Sequence, residues 1–343
     1  IQSNKLAQQK RSTSILISIL YLIGLIHWPH NSRGGGGGRG RPYVYSPTVI
    51  LRCFVVRIWF RLDSNRALHE YLAMEMPYNK KVMKECGLSR IPSRRTFDRR
   101  LTTLSGDIKI RITTMGKLFV HDKIIDPSIL STDSTLIKAK GHVWHKSSMK
   151  KKVVPYSGID TDAMWGFSHT KGWIFGYKLH LISSTDSIIV PLAVDFTTAN
   201  IPDNHMYSIL TASLPVTIIK RTLYMSADPG YDDHELYDLS TDMGFQLVCP
   251  VKRYRNTPSD RIKLVEFYES DIGQTIYSLR SISIEPLIEH IKSVFRIDPL
   301  PVRGYAKASS VVLLSVLLYQ ILVYYNCKTR KDNPRAVKYM LGT

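Results

Sequence analysis

Asp133, Asp228 and Glu285 are the residues of this chain whose type and placement could do chemistry. Asp133 follows the apolar run Ile129-Leu130-Ser131-Thr132, and Asp228 follows Leu223-Tyr224-Met225-Ser226-Ala227. Glu285 opens the segment Glu285-Pro286-Leu287-Ile288-Glu289-His290-Ile291-Lys292, whose apolar residues recur at helical spacing. Two strand ends and a helix can bring three carboxylates around one point. Hard oxygen donors of this kind suit two Mg2+ or Mn2+ ions about 4 Å apart, which activate an attacking hydroxyl and stabilise a leaving oxygen in phosphodiester chemistry. Each of the three taken alone is more often a cap or a turn former, so only the joint arrangement points to a metal site. Asp195, Asp203, Asp232 and Asp233 are rival carboxylates, the last two better suited to capping a helix near His234. His142 and His145 have a ligand-like spacing but no second pair to complete a site.

The elements that must position these residues fall into two textures. From Pro47 to about Leu104 the pattern is helical. Ile50, Leu51, Phe54, Val55, Ile58 and Trp59 make one apolar face, and Ser64 caps a second helix over Asn65 to Met76. A third helix runs from about Asn79 to Glu85 and stops at Gly87. Ser93 caps a fourth that carries Arg94, Arg95, Arg99 and Arg100. A short helix, a glycine turn and a capped, arginine-rich helix read as a helix-turn-helix whose second helix enters the major groove; the competing reading is a small bundle with a basic face. After Ile129 the texture changes to short β-rich runs, at Ile129 to Thr132, Trp173 to Ile182, Ile188 to Phe196, Thr222 to Ala227 and Phe245 to Pro250. Helices are expected near His205 to Ser213, His234 to Met243 and Ile284 to Phe295. Three strands before the first helix, then alternating strand and helix, fit an α/β fold with a ribonuclease H-like mixed sheet flanked by helices better than a doubly wound nucleotide-binding fold.

Composition points the same way. The 343 residues include 47 Lys and Arg against 28 Asp and Glu, a formal charge of +19, which predicts a polyanionic partner. Residues 1–132 hold 22 of the basic and 8 of the acidic residues, so the N-terminal part is the expected DNA-gripping region. The segment Arg33 to Pro42 is a glycine-rich linker by composition. Its end, Arg39-Gly40-Arg41-Pro42, also has the form of a minor-groove hook, with Arg39 and Arg41 as the inserting side chains. The lysines of His145 to Lys152 could grip flanking or target DNA, or form a solvated loop. Cys53, Cys86, Cys249 and Cys327 are scattered singly, as in a reduced cytoplasmic protein. The apolar stretches Ile15 to Ile26 and Val311 to Tyr325 fall short of the roughly 20 residues a bilayer requires, and no cleavage site follows the first. The expected location is therefore cytoplasmic and nucleoid-associated, with no membrane partner. The expected organisation is an apolar and basic leader with linker over 1–42, a helical DNA-binding region over 43–125, a catalytic domain over 126–328 and a basic tail over 329–343.

These blocks resemble the DDE transposases of insertion sequences. Leu130-Ser131-Thr132-Asp133-Ser134-Thr135 is similar to their first catalytic block and Ala227-Asp228-Pro229-Gly230-Tyr231-Asp232 to the Asp-x-Gly-Tyr second block. In the best-known branch the third block reads Tyr, two residues, Arg, three residues, Glu, six residues, Lys. Tyr277, Arg280, Glu285 and Lys292 reproduce it with one residue added between Arg280 and Glu285, and Glu289, one turn on, is the alternative glutamate. The resemblance implies a ribonuclease H-like catalytic domain, recognition of terminal inverted repeats in double-stranded DNA, and homodimeric synapsis of two DNA ends. It also implies a metal-bound triad of Asp133, Asp228 and Glu285, and contacts from Tyr277, Arg280 and Lys292 to phosphates at the element's end. The implied activity is cleavage of the ends and joining of the freed 3′-hydroxyls to target DNA. The alternatives are a decayed transposase that only binds DNA, for which Pro229 and the lengthened third block speak, and a nuclease of the same fold, against which the N-terminal helices count.

Overall fold

Residues that alternate with period two build one sheet, and the order in which its strands pair decides where the acidic residues fall. The computed structural model describes residues 2–29, 44–168, 170–251, 253 and 258–341, without the side chains of residues 2–11 and 260. Arg39, Arg41 and the glycine-rich segment lie outside the described residues. The chain forms two compact units, Ile1–Thr114 with Ser310–Thr343, and Met115–Ser309.

The first unit is helical. Its elements are α1 (Gln2–Leu25), α2 (Pro47–Trp59), α3 (Asn65–Ala73), α4 (Pro77–Glu85), α5 (Arg94–Leu101) and the first part of α6 (Ser105–His121). The hydroxyls of Ser46, Ser64 and Ser93 accept from the backbone N–H of Val49, Ala67 and Thr96, each satisfying one orphan donor at a helix start. Gly87, at φ +81°, turns the chain out of α4. A buried relay ties three helices together: Arg57 donates to Asn65 Oδ1 at 2.8 Å, and Asn65 donates to Asp98 at 2.7 Å. The stretch Ile15 to Ile26, expected as a leader, is core instead. Leu16, Ile19, Leu20 and Ile23 are fully buried, and Ser12 accepts a 2.9 Å hydrogen bond from the Trp59 indole.

The second unit follows α6 with β1 (Ile129–Lys138), α7 (Lys146–Lys150), β2 (Met164–Ser168), β3 (Gly172–Ser184), β4 (Pro191–Thr198), α8 (Asn204–Ser213), α9 (Val216–Ile219), β5 (Tyr224–Ser226), α10 (His234–Asp242) and β6 (Gln246–Val248). Then come α11 (Ser259–Glu269), α12 (Asp271–Ile282), α13 (Ile284–Phe295) and the start of α14 (Tyr305–Lys328). The sheet runs β2-β3-β1-β5-β6, with β4 also on β3. β1, β3 and β4 pair antiparallel, whereas β5 and β6 continue beyond β1 in parallel. This is the ribonuclease H-like arrangement, with β2 added beside the first half of β3.

Two further expectations change. β1 does not end before Asp133: residues 134–138 go on pairing with residues 176–180 of β3, so Asp133 sits mid-strand. The apolar run Val311 to Tyr325 belongs to a 24-residue helix, α14, long and apolar enough by length and composition to cross a bilayer. The polar residues that interrupt the run are accommodated inside it. Ser315 donates to the Val311 carbonyl and Gln320 to the Ile112 carbonyl, and 89% of the helix's apolar window is buried within the protein.

Candidate active site

β1 and β5 run parallel with Ser131 opposite Ser226, and the two hydroxyls share a 2.6 Å hydrogen bond. Asp133 and Asp228 each lie two residues further along. Because side chains alternate with period two, the register that pairs the serines carries the two carboxylates past the end of β5 together. Asp133 is 8% exposed; its Oδ1 accepts from the Ser134 N–H at 2.8 Å. Asp228 is half-buried and accepts from the Gly230 N–H at 2.9 Å, capping the turn Pro229–Tyr231. Pro229 suits the first position of that turn, where no N–H is needed.

The third carboxylate comes from the helices. α12 stops at Ile282, Ser283 breaks the path at φ −110° and ψ −80°, and α13 restarts at Ile284. The break falls between Arg280 and Glu285, in the segment where the sequence carries its additional residue. α13 lies against β1 and β3, burying Ile284, Leu287, Ile288, Ile291 and Val294. Glu285, in its first turn, is half exposed. Arg280 joins the two halves: one arm of its guanidinium donates to Asp133 Oδ2 at 2.8 Å and the other to Glu285 Oε1 at 2.7 Å. A fork of this geometry is what arginine offers to paired carboxylates.

Burial raises the Asp133 carboxyl to about 7, while Arg280 draws it down and the charges of Asp228 and Asp203 push it up. Asp228 is raised for the same first reason, with Arg280 again opposing. Around them stands a group that sequence reasoning did not assemble. Lys178 of β3 donates to Asp203 at 2.9 Å and to the Ile201 carbonyl at 2.8 Å, and its charge reaches Asp228. Asp203 was visible in the sequence as a rival carboxylate. Its pairing with Lys178 depends on a strand register that no local signal carries.

Of the other expected contacts, Tyr277 packs edge-on against Tyr268, with ring centroids 5.4 Å apart. Lys292 does not reach out to solvent. It is 5% exposed and bonds Thr135, the Leu136 carbonyl, Glu289 and Asp298, pinning α13 to β1. Glu289 pairs with Lys292 and Lys171 rather than with Arg280. In the first unit Arg94, Arg95 and Arg99 are exposed on α5, whereas Arg100 is buried. Asp233 caps α10, as expected, and Asp232 pairs with Arg261. Among the described residues no three His, Cys, Asp or Glu side chains stand close enough to hold a metal ion.

No curated protein sequence matches the chain. Among solved structures it is similar to a piggyBac transposase synaptic complex with hairpin DNA, at 12% identity over 98% of this chain and 78% of the other, with a TM-score of 0.39. It is also similar to a Mos1 transposase paired-end complex with left transposon end, at 10% identity over 84% and 81% of the two chains, with a TM-score of 0.21. Residues 125–321, more than half of the sequence and the whole of the sheet described above, match the family described as the transposase DDE domain. The chain belongs to the DDE transposase domain family.

Proposed function

We propose that this chain binds the ends of its own element, cuts them and joins the freed 3′-hydroxyls to target DNA. The observation that carries this reading is the fork of Arg280, which draws Asp133 of β1 and Glu285 of α13 together beside Asp228 in a domain of the transposase family. The fork also favours Glu285 over Glu289 as the third carboxylate, since Arg280 bonds Glu285 whereas Glu289, one turn on, pairs with Lys171 and Lys292.

Asp133, Asp228 and Glu285 would hold Mg2+ or Mn2+, which when bound supply a Lewis acid for both the attacking and the leaving oxygen. The protein's own residues supply position and charge. In the cleavage step a water oxygen bonds to phosphorus, the bond from phosphorus to the 3′ oxygen breaks, and a proton lost by the water is balanced by one gained at the departing 3′ oxygen. In the joining step the new 3′-hydroxyl oxygen attacks a target phosphorus, loses its proton and displaces that strand's 3′ oxygen, which gains one and leaves as a hydroxyl. Arg280 stays charged throughout and offers five donors to whichever anions share the site. Tyr277 stands one helical turn from it on α12. Lys292 acts indirectly, by fixing α13. Arg94, Arg95 and Arg99 would grip the repeat, with Arg39 and Arg41 reaching a minor groove, and two copies of the chain would pair the ends.

The test is cleavage and joining of a duplex that carries the element's terminal repeat, in Mg2+ or Mn2+, by the wild type and by Asp133→Asn, Asp228→Asn and Glu285→Gln. Joined product that vanishes in all three variants while repeat binding survives is the expected result. Joining that persists in any of them removes that residue from the triad; nicking without joining makes the protein a nuclease.

A further inference from the structure

The hairpin of β2 and β3 carries a row of aromatic rings that the fold does not need on its outside. Trp165 stands opposite Phe175, with ring centroids 5.6 Å apart, and Phe167 opposite Trp173, at 5.3 Å. With period two all four rings share one face. The inner pair is covered, Phe175 being 5% exposed, but Phe167 and Trp173 are 53% and 57% exposed. The Lys146 ammonium lies 3.1 Å from the centre of the Trp173 ring and 5.7 Å from that of Trp165, a cation–π arrangement that fixes the rings. The base of the hairpin is fixed as well. A Cβ at Gly176 would lie 2.0 Å from the Ile137 carbonyl oxygen and one at Gly166 2.4 Å from that of Ala199, so the hairpin backbone packs closely on its neighbours there. An exposed aromatic pair held in place offers a flat apolar surface to a planar partner.

Charge and position say what binds. Lys146 lies over the row, Lys150, Lys151 and Lys152 of the same segment are exposed, and Lys171, at the hairpin's turn, pairs with Glu289 at 3.6 Å, one helical turn beyond Glu285. The hairpin that bears the row is thus tied by an ion pair to the helix that carries Glu285, and a cation lies on its rings, which suits a polyanion with planar groups. A base inside a duplex has both faces occupied by its neighbours, whereas an unpaired base can stack on an aromatic ring whatever its identity.

We propose that the Phe167–Trp173 pair, with Lys146, holds an unpaired nucleotide of the DNA strand that runs past α13. This rests on the DNA reading above. The surface takes unstacked, single-stranded nucleotides next to the cut site, the lysines holding phosphate and the rings holding base.

The experiment uses the full chain in EDTA, so that no strand is cut, and compares a blunt duplex carrying the terminal repeat with the same duplex bearing a short single-stranded tail that includes 2-aminopurine. The wild type should prefer the tailed duplex and quench the 2-aminopurine. Trp173→Ala and Phe167→Ala should each weaken tailed binding about ten-fold, leave blunt binding unchanged and abolish the quenching, whereas Trp173→Phe should keep most of both. An unaltered tail preference in both alanine variants, or an equal loss on blunt and tailed duplexes, overturns the proposal. Separate measurement of joining in Mg2+ distinguishes the two readings: joining by the wild type with no tail preference sinks this surface alone. Binding of neither duplex sinks the DNA reading and this surface with it.

Discussion

A guanidinium that donates to Asp133 and to Glu285 at once holds two elements and three charges in place, so its removal should be felt in stability as well as in activity. The Asp133 carboxyl already stands at about 7 against an ordinary 3.8, because burial outweighs Arg280. In Arg280→Gln the opposing pull is gone and the folded-state value climbs further. A carboxyl raised in the folded state stabilises fully below its unfolded value near 4, and that contribution fades as pH rises through the folded value. Urea unfolding in EDTA should therefore find Arg280→Gln close to wild type at pH 4 and about 2 kcal/mol less stable at pH 8. A deficit independent of pH would mean that the side chain packs rather than pairs. His180 gives the opposite slope. It is fully buried, donates to or accepts from Thr197 at 2.8 Å, and lies 3.6 Å from Asp203. Burial lowers it to about 4; Asp203 and Asp195 pull it up and Lys178 pushes it down. The ring is thus neutral, and its contact with Asp203, whose charge Lys178 already takes, is not an ion pair. A histidine depressed in the folded state stabilises above its unfolded value near 6.5 and loses that contribution as pH falls toward 4, up to roughly 3 kcal/mol. His180→Gln should flatten the acid limb of the stability curve; identical limbs in the two proteins would refute the assignment.

At the scale of elements, close backbone approach makes glycine positions unequal. Gly176→Ala should cost about 3 kcal/mol, since its Cβ would press on the Ile137 carbonyl and part β1 from β3, the pairing that carries Asp133. Gly106→Ala, in the first turn of α6 with nothing within 4 Å, should be neutral or stabilise by up to about 1 kcal/mol. Thermal melts of the two variants separate these outcomes, and a harmless Gly176→Ala would mean that the hairpin base can yield. The same distinction explains what the sequence made legible. The helical repeat of Ile284, Leu287, Ile288 and Ile291 is local, and α13 appears over the expected residues. The serine caps of α3 and α5 are likewise local signals. The continuation of β1 beyond Asp133 is not, because its partner is β3, some forty residues later. Lys178 with Asp203, the Arg280 fork to Asp133 and the aromatic row all exist only once register is fixed, so the sequence held the residues without their arrangement. α1 failed for another reason. A short apolar run near a terminus reads alike as leader and as core helix, and only the surface that covers it decides.

For the whole molecule the governing quantity is charge. The chain carries +19, and on α5 Arg94, Arg95 and Arg99 stand exposed while Arg100 and Phe97 are buried, so one face of a short capped helix presents three guanidinium groups. If that face lies on DNA, each arginine that meets a phosphate releases condensed counterions, and the logarithm of the binding constant falls with the logarithm of salt by about 0.9 for each contact. Replacing all three by alanine should therefore shallow the salt slope by about 2.7 for contacts made to phosphate alone. The change should be the same for the terminal repeat and for unrelated duplex where the contacts read no bases. If one of the three also meets a base edge, the repeat should lose an additional factor at every salt concentration, because base contacts specify sequence and phosphate contacts do not. Titrations of both duplexes across a range of salt distinguish the two, with the exposed lysines Lys80, Lys81 and Lys84 of α4 changed to alanine as a charge-matched control. An unchanged slope in the triple variant, or an equal change in the control, would take α5 off the DNA and leave the basic surface of the first unit as a solvated face.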